Sequence, residues 1–150
     1  VLEPSAGVGN LATDCRNAGG AVECIEKDEH MAGILLGLGF AVEWMDFLEK
    51  KPPCVGKLKD EKGERQVDDR FDRVVMNPPF ERGMDTKHVE HALKFLRPGG
   101  KLVAIIPDGP SRREWFADLK YDKATWTKLP DGSFKESGTD IRTVMIVIEA

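Results

Sequence analysis

The chain has 150 residues, room for one domain of ordinary size and too few for two. Hydrophobic residues make up 41% and charged residues 32%, a globular composition that excludes wholesale disorder. With 22 basic against 26 acidic side chains the formal charge is −4, which excludes a strongly basic coat for nucleic acid but leaves room for a local basic groove.

In chain order, helical and strand patterns alternate. Val1-Leu2 reads as the end of a strand that enters a glycine loop at once, with no initiator Met and no signal-peptide core. A domain truncated at its N-terminus is therefore expected. Leu11, Ala12, Cys15 and Ala18 recur at helical spacing and stop at Gly19-Gly20. Ala21–Glu26 reads as a strand, Met31, Ile34, Leu35 and Leu38 as a helical stripe ended by Gly39, and Phe40–Met45 as a third strand. Residues 49–70 break the rhythm: they are charged and carry Pro52-Pro53 and Lys62-Gly63, so a solvated loop insertion is expected, with a flexible hairpin as its most ordered form. Phe71–Met76 is a fourth strand. Val89, Ala92, Leu93 and Leu96 mark a helix closed by Pro98-Gly99-Gly100, and Leu102–Ile106 is an apolar strand of the kind covered on both faces. A short amphipathic helix over Arg112–Leu119 precedes two strands, Thr125–Leu129 and Thr143–Ile148, with no helix between them. This order predicts a single α/β domain over 1–150. Its sheet is Rossmann-like, doubly wound, mostly parallel and seven-stranded, with an antiparallel C-terminal strand pair.

The longest apolar runs, Met31–Leu38 and Val144–Ile148, fall far short of the ~20 residues of a membrane span. Cys15, Cys24 and Cys54 are odd in number and lack CxxC spacing, which predicts reduced thiols in a cytoplasmic protein and neither a disulfide framework nor a zinc site.

Glu3-Pro4-Ser5-Ala6-Gly7-Val8-Gly9-Asn10 leaves a strand and enters a helix, and its glycines let a ligand approach the backbone closely. Gly7 to Ala12 also matches the G-x-G-x-x-A dinucleotide fingerprint, with Glu26 near the distance for a ribose-binding acid, so an oxidoreductase domain is an alternative. Against it stands Glu3, a carboxylate before the glycines. It would repel a pyrophosphate but suit a cofactor carrying an amino-acid ammonium. Glu26 and Asp46 end the second and third strands, so both face the crevice over the glycine loop. Glu26 suits a ribose diol and Asp46 an exocyclic amine; taken singly, each could equally be a helix cap. Asp28 and Glu29 read as caps of the following helix.

Asn77-Pro78-Pro79-Phe80 follows directly after the buried fourth strand. The prolines stiffen the backbone and leave carbonyls as acceptors, Asn77 adds an amide oxygen, and Phe80 adds a flat apolar face. Together they could clamp a planar amine, drawing its N–H bonds away and freeing its lone pair.

On these residues the chain resembles class I S-adenosylmethionine-dependent methyltransferases of the amino-group type, which include the DNA adenine-N6 enzymes. The resemblance implies S-adenosyl-L-methionine as cofactor. Glu3, Ser5, Gly7 and Gly9 would hold its methionine end, Glu26 its ribose, and Asp46 with Phe47 its adenine, with Pro4, Lys27 and Asn77 also in the cofactor site. It implies that Asn77 and Pro78, with Pro79, hold the target amine beside the cofactor, while Phe80 stacks on the target ring. Adenine N6 in DNA is the leading substrate. RNA bases or a protein glutamine are alternatives, as is a non-catalytic cofactor-binding subunit. No target-recognition domain follows Ala150 and the charge is acidic, so a separate region or partner subunit is expected to supply target binding. Phe134, flanked by Lys135, Gly132 and Gly138 in the loop between the last strands, is expected to cover the target ring opposite Phe80, with Lys135 near a phosphate. His88 and His91 lack a third metal ligand and read as solvated helix residues. Arg112, Arg113, Lys120, Lys123 and Lys128 read as a charged face before a phosphate track, and Trp115 and Phe116 as core.

Overall fold

Strands that are apolar on both faces need helices on both sides, and this chain is layered accordingly. The computed structural model describes residues 1–61, 63–132 and 141–150. Numbered in chain order, the elements are β1 (Leu2–Pro4), α1 (Asn10–Asn17), β2 (Glu23–Glu26), α2 (Glu29–Gly37), β3 (Ala41–Trp44), β4 (Val55–Asp60), β5 (Gly63–Asp68) and β6 (Phe71–Met76). They continue with α3 (Met84–Leu93), β7 (Leu96–Pro107), α4 (Pro110–Asp118), β8 (Ala124–Lys128) and β9 (Thr143–Glu149). Seven strands form one sheet in the order β3-β2-β1-β6-β7-β9-β8. β3, β2, β1, β6 and β7 run parallel, whereas β9 pairs antiparallel with both β7 and β8. The expected mostly parallel sheet with an antiparallel terminal pair is therefore present.

Alternation along the strands feeds two cores. In β2, Cys24 joins Ala6, Ala12, Leu35 and Phe40 in a cluster with residues of α1 and α2, while its neighbour Ile25 joins Met76, Val89 and Phe95 in the larger cluster that includes α3. β1, with β2 on one side and β6 on the other, is where the winding reverses. The ends of β1 and β6 therefore open a crevice at the topological switch point.

Two boundaries differ from expectation. α3 stops at Leu93, and Leu96 belongs to β7, which runs on through Pro98-Gly99-Gly100. A Cβ on Gly100 would lie 2.8 Å from the Arg97 carbonyl oxygen and 3.2 Å from that of Asp72, so the strand passes too close to its neighbour for any side chain. α4 begins at Pro110, where a missing N–H costs nothing because first-turn amides lack helical partners. The 49–70 insertion takes the hairpin form the sequence allowed it, antiparallel from Val55 opposite Asp68 to Asp60 opposite Gly63. At its foot the Arg70 guanidinium forks onto Asp68 at 2.8 Å from both nitrogens and holds that carboxyl down to about 2.

Candidate functional site

The glycine loop is built by tying its backbone to the end of β2. The N–H groups of Ser5 and Ala6 both donate to the Ile25 carbonyl, at 2.9 and 3.1 Å. Ser5 sits in the left-handed region, at φ 69°, a strained state for a residue with a Cβ and one that clusters at functional sites. The next N–H, of Gly7, donates to Glu26 Oε2 at 2.7 Å, while Glu26 Oε1 accepts from the Asp28 N–H at 2.9 Å. Glu26 thus fastens the loop and still keeps lone pairs for a ligand, since a carboxylate has about four acceptor sites. Gly9 is needed on two counts: φ is 86°, and a Cβ would come within 2.7 Å of Leu35 Cδ2 on α2.

Asp46 ends the segment after β3 and caps the short turn Phe47–Glu49, its Oδ1 accepting from the Leu48 N–H at 2.9 Å. The cap and the site acid are one residue. Asp28, as expected, caps α2 through the Met31 N–H. The Phe47 ring is buried against α3, with centroids 5.9 Å from His88, 4.8 Å from His91 and 5.2 Å from Phe95.

Between these parts lies a cavity of about 200 Å³. Seven of the residues singled out from the sequence line it: Ser5, Glu26, Lys27, Asp46, Phe47, Asn77 and Pro79. Ile25, Met45 and His88 complete the wall. Pro4, Gly7 and Gly9 shape the frame without lining the cavity. Pro78 is buried beneath Asn77, and Phe80 is half-buried at the start of the turn Glu81–Gly83. Phe134 and Lys135 lie outside the described residues.

Glu3 stands below the loop, 3% exposed. It takes a hydrogen bond from the Ala12 backbone, while its Oε2 has no partner among the described residues. Burial, helped by the charges of Glu26 and Asp14, pushes its carboxyl up to about 8 against the pull of the Ala12 bond.

His88 and His91 are not solvated. His88 is 4% exposed, with Nδ1 on the Met84 carbonyl at 2.8 Å; His91 Nε2 donates to the Lys50 carbonyl at 2.9 Å. The signal was present in the sequence. Asp85, His88, Val89 and Ala92 are spaced i, i+3, i+4, i+7 and all four are buried, a core stripe two of whose members are polar. Asp85 receives a bidentate fork from Arg112, at 3.0 and 3.1 Å, and Arg113 forks onto Asp108 at 2.7 and 2.8 Å. Both arginines are therefore paired to carboxylates, and neither is free to start a phosphate track. Trp115 and Phe116 pack on the core as expected.

No curated protein matches the sequence. Among solved structures, a SAM-dependent methyltransferase from Archaeoglobus fulgidus superposes with a TM-score of 0.68 at 12% identity, covering 99% of this chain and 85% of the other. TrmN from Thermus thermophilus gives 0.63 at 17%, covering 99% and 43%. The 16S rRNA N2 G1207 methyltransferase RsmC of T. thermophilus, in complex with AdoMet and guanosine, gives 0.62 at 17%, covering 99% and 34%. The chain thus spans less than half the length of the last two. Residues 1–114 match the methyltransferase small domain, and with that match and this fold the chain belongs to that family, a class I S-adenosylmethionine-dependent methyltransferase.

Proposed function

We propose that this chain transfers the methyl group of S-adenosylmethionine to an exocyclic amine of a nucleic-acid base, in RNA before DNA. The observation that carries the reading is one cavity shared by the strand-end acids Glu26 and Asp46 and by Asn77 and Pro79 of the Asn-Pro-Pro-Phe tetrapeptide. The order of substrates is supported by the likeness to RsmC, whose name gives guanine N2 of ribosomal RNA. The sequence-based preference for DNA adenine has no counterpart among these neighbours.

The residues suit the cofactor. Glu26 offers free lone pairs to a ribose diol, Asp46 has one oxygen left for an amine after capping its turn, and Ile25, Met45, Phe47 and Pro79 give apolar walls to a purine. A cavity of about 200 Å³ is smaller than the ~300–1,000 Å³ typical of drug-sized ligands, so it suits the nucleoside end, with the amino-acid end over the glycine loop.

Bound there, the cofactor supplies an electrophilic methyl. The amide of Asn77, unpaired among the described residues, would accept one N–H of the target amine and the Pro78 carbonyl the other. The lone pair of the amine would then be free to take the methyl, with S-adenosylhomocysteine as the leaving group and the surplus proton passing to solvent water. Phe80 would face the target ring, with Phe134 opposite and Lys135 near a phosphate.

The test is methyl-labelled cofactor offered with RNA, DNA and protein, together with the Asn77→Ala variant. Label should enter RNA, and Asn77→Ala should lower turnover a hundredfold or more, about 3 kcal/mol in the barrier, at unchanged affinity for S-adenosylhomocysteine. Tighter binding of NAD than of S-adenosylhomocysteine would overturn the reading, and near-native turnover in the variant would remove Asn77 from the chemistry.

A further inference from the structure

His88 lines the cavity at the end held by Asp46 and Phe47, where no other residue of α3 reaches it. Its Nδ1 lies 2.8 Å from the carbonyl oxygen of Met84, one helical turn back. A carbonyl oxygen only accepts, so Nδ1 carries the proton, and in the neutral ring Nε2 is left with a lone pair. Nε2 makes no hydrogen bond among the described residues. It is not sealed in either, since the buried side-chain atoms without partners among those residues are Glu3 Oε2 and Trp126 Nε1. The cavity is thus lined by two residues with an acceptor to spare, His88 through Nε2 and Asp46 through the oxygen not used in capping. A group with two N–H bonds satisfies both, whereas a carbonyl there satisfies neither.

We propose that His88 is a specificity-determining residue of the cofactor site, its Nε2 accepting a hydrogen bond from the 6-amino group of the cofactor's adenine. The inference rests on the S-adenosylmethionine reading above and adds to it the residue that tells adenine from other purines. A site built to bond a polar group discriminates strongly against a ligand that lacks it, because its own buried acceptor is then left unpaired.

The acceptor role belongs to the neutral ring, because protonation would turn Nε2 into a donor facing an amine. The groups around it are His91 on the same helix, Asp46 after β3, Lys27 after β2 and the Met84 carbonyl. Burial lowers the pKa of His88 below its ordinary 6.5, Lys27 and His91 push the same way, and the Met84 bond and Asp46 oppose. The acceptor form therefore prevails at neutral pH and is lost only in acid.

The experiment is calorimetric titration of the chain with S-adenosylhomocysteine and with its analogue in which hydrogen replaces the 6-amino group. At pH 7.5 the native protein should prefer the adenine ligand by about tenfold or more. His88→Leu should lose about tenfold of that preference, the value of one good hydrogen bond, while binding the analogue as before, and His88→Gln, whose amide oxygen reaches about as far as Nε2, should recover most of the loss. In the native protein alone, the preference should shrink as the pH is lowered through the titration of His88, a reading that needs no variant to fold. An undiminished preference in His88→Leu, or one unchanged in acid, would overturn the inference and leave Asp46 as the reader, and no preference in the native protein would overturn it outright. Binding of neither ligand by the native protein would overturn the methyl-donor reading itself, and the role of His88 with it.

Discussion

The two halves of the domain treat buried carboxylates differently, as Asp85 and Glu3 show. Asp85, at the start of α3 in the second half, is 0% exposed with both oxygens held by the Arg112 fork. Glu3, at the end of β1 in the first half, is 3% exposed with one oxygen unpartnered, and its carboxyl is raised to about 8. A buried acid saturated by a fork fastens two helices and has nothing left to offer. One left half-satisfied beneath a glycine loop is what a chain selected for stability alone would remove, and such exceptions call for a reason beyond packing. The contrast separates an acid that fastens the scaffold from one left with an open acceptor beside the glycine loop.

The largest expected effect tests the fastening. Arg112→Ala leaves Asp85 buried without a counter-charge, and breaking such a pair costs about 3–5 kcal/mol. At roughly 2–4 °C per kcal/mol for a chain of this size, the melting temperature should fall by about 10 °C. Replacing both partners, Asp85→Leu with Arg112→Met, should restore most of the loss, because an apolar pair needs no compensation. An unchanged melting temperature in Arg112→Ala would erase the distinction between the two acids.

Glu3 provides the counterpart, on the order of a few kcal/mol and visible only as a dependence on pH. Its pKa is raised on folding, from 4.5 to about 8, so the folded chain holds a proton that the unfolded chain has released. The associated stability is complete below pH 4.5 and is lost as the pH climbs towards 8. Glu3→Gln cannot ionise. From pH 5 to 8 the native protein should lose more stability than the variant, and parallel unfolding curves would show that Glu3 is already charged in the fold.

The same contrast marks what could be read from the chain and what could not. The sheet was legible because buried parallel strands are uninterrupted apolar runs and because glycines punctuate the helices between them. The strand-end acids were legible as a site because three of them fall in register with a glycine loop, although their second duties were not. Glu26 ties down Gly7, and Asp46 caps a turn, through backbone amides that no spacing rule names. The hairpin could be anticipated from its turn residues, but exposure hid where its strands run. Lys57, Lys59, Glu64 and Gln66 are all solvated, so no apolar alternation marks its strands. His88 was missed for the opposite reason: its spacing is that of a core stripe, but only apolar members had been counted. The Asp85–Arg112 pair joins residues 27 apart in sequence, and two sequence-distant charges announce no partnership until the helices pack.

The smallest effect sharpens the comparison most, because it concerns the very next residue. Arg113 also forks onto an aspartate, with both Asp108 oxygens within 2.8 Å of Nη2, a geometry no worse than that of Arg112. The difference is solvent: the Arg113 side chain is 50% exposed where that of Arg112 is 26%, and Asp108 keeps 13% where Asp85 keeps none. In water the attraction is screened, and removing either partner leaves a charge that can be hydrated, so such pairs are worth about 0–1 kcal/mol. Arg113→Ala should therefore lower the melting temperature by no more than about 4 °C, and the difference should shrink further in about 0.5 M salt. The loss from Arg112→Ala should persist at the same salt, since ions do not reach Asp85. If the two variants respond alike to salt, burial is not what distinguishes the fastening acid from the others, and the contrast drawn between Asp85 and Glu3 fails with it.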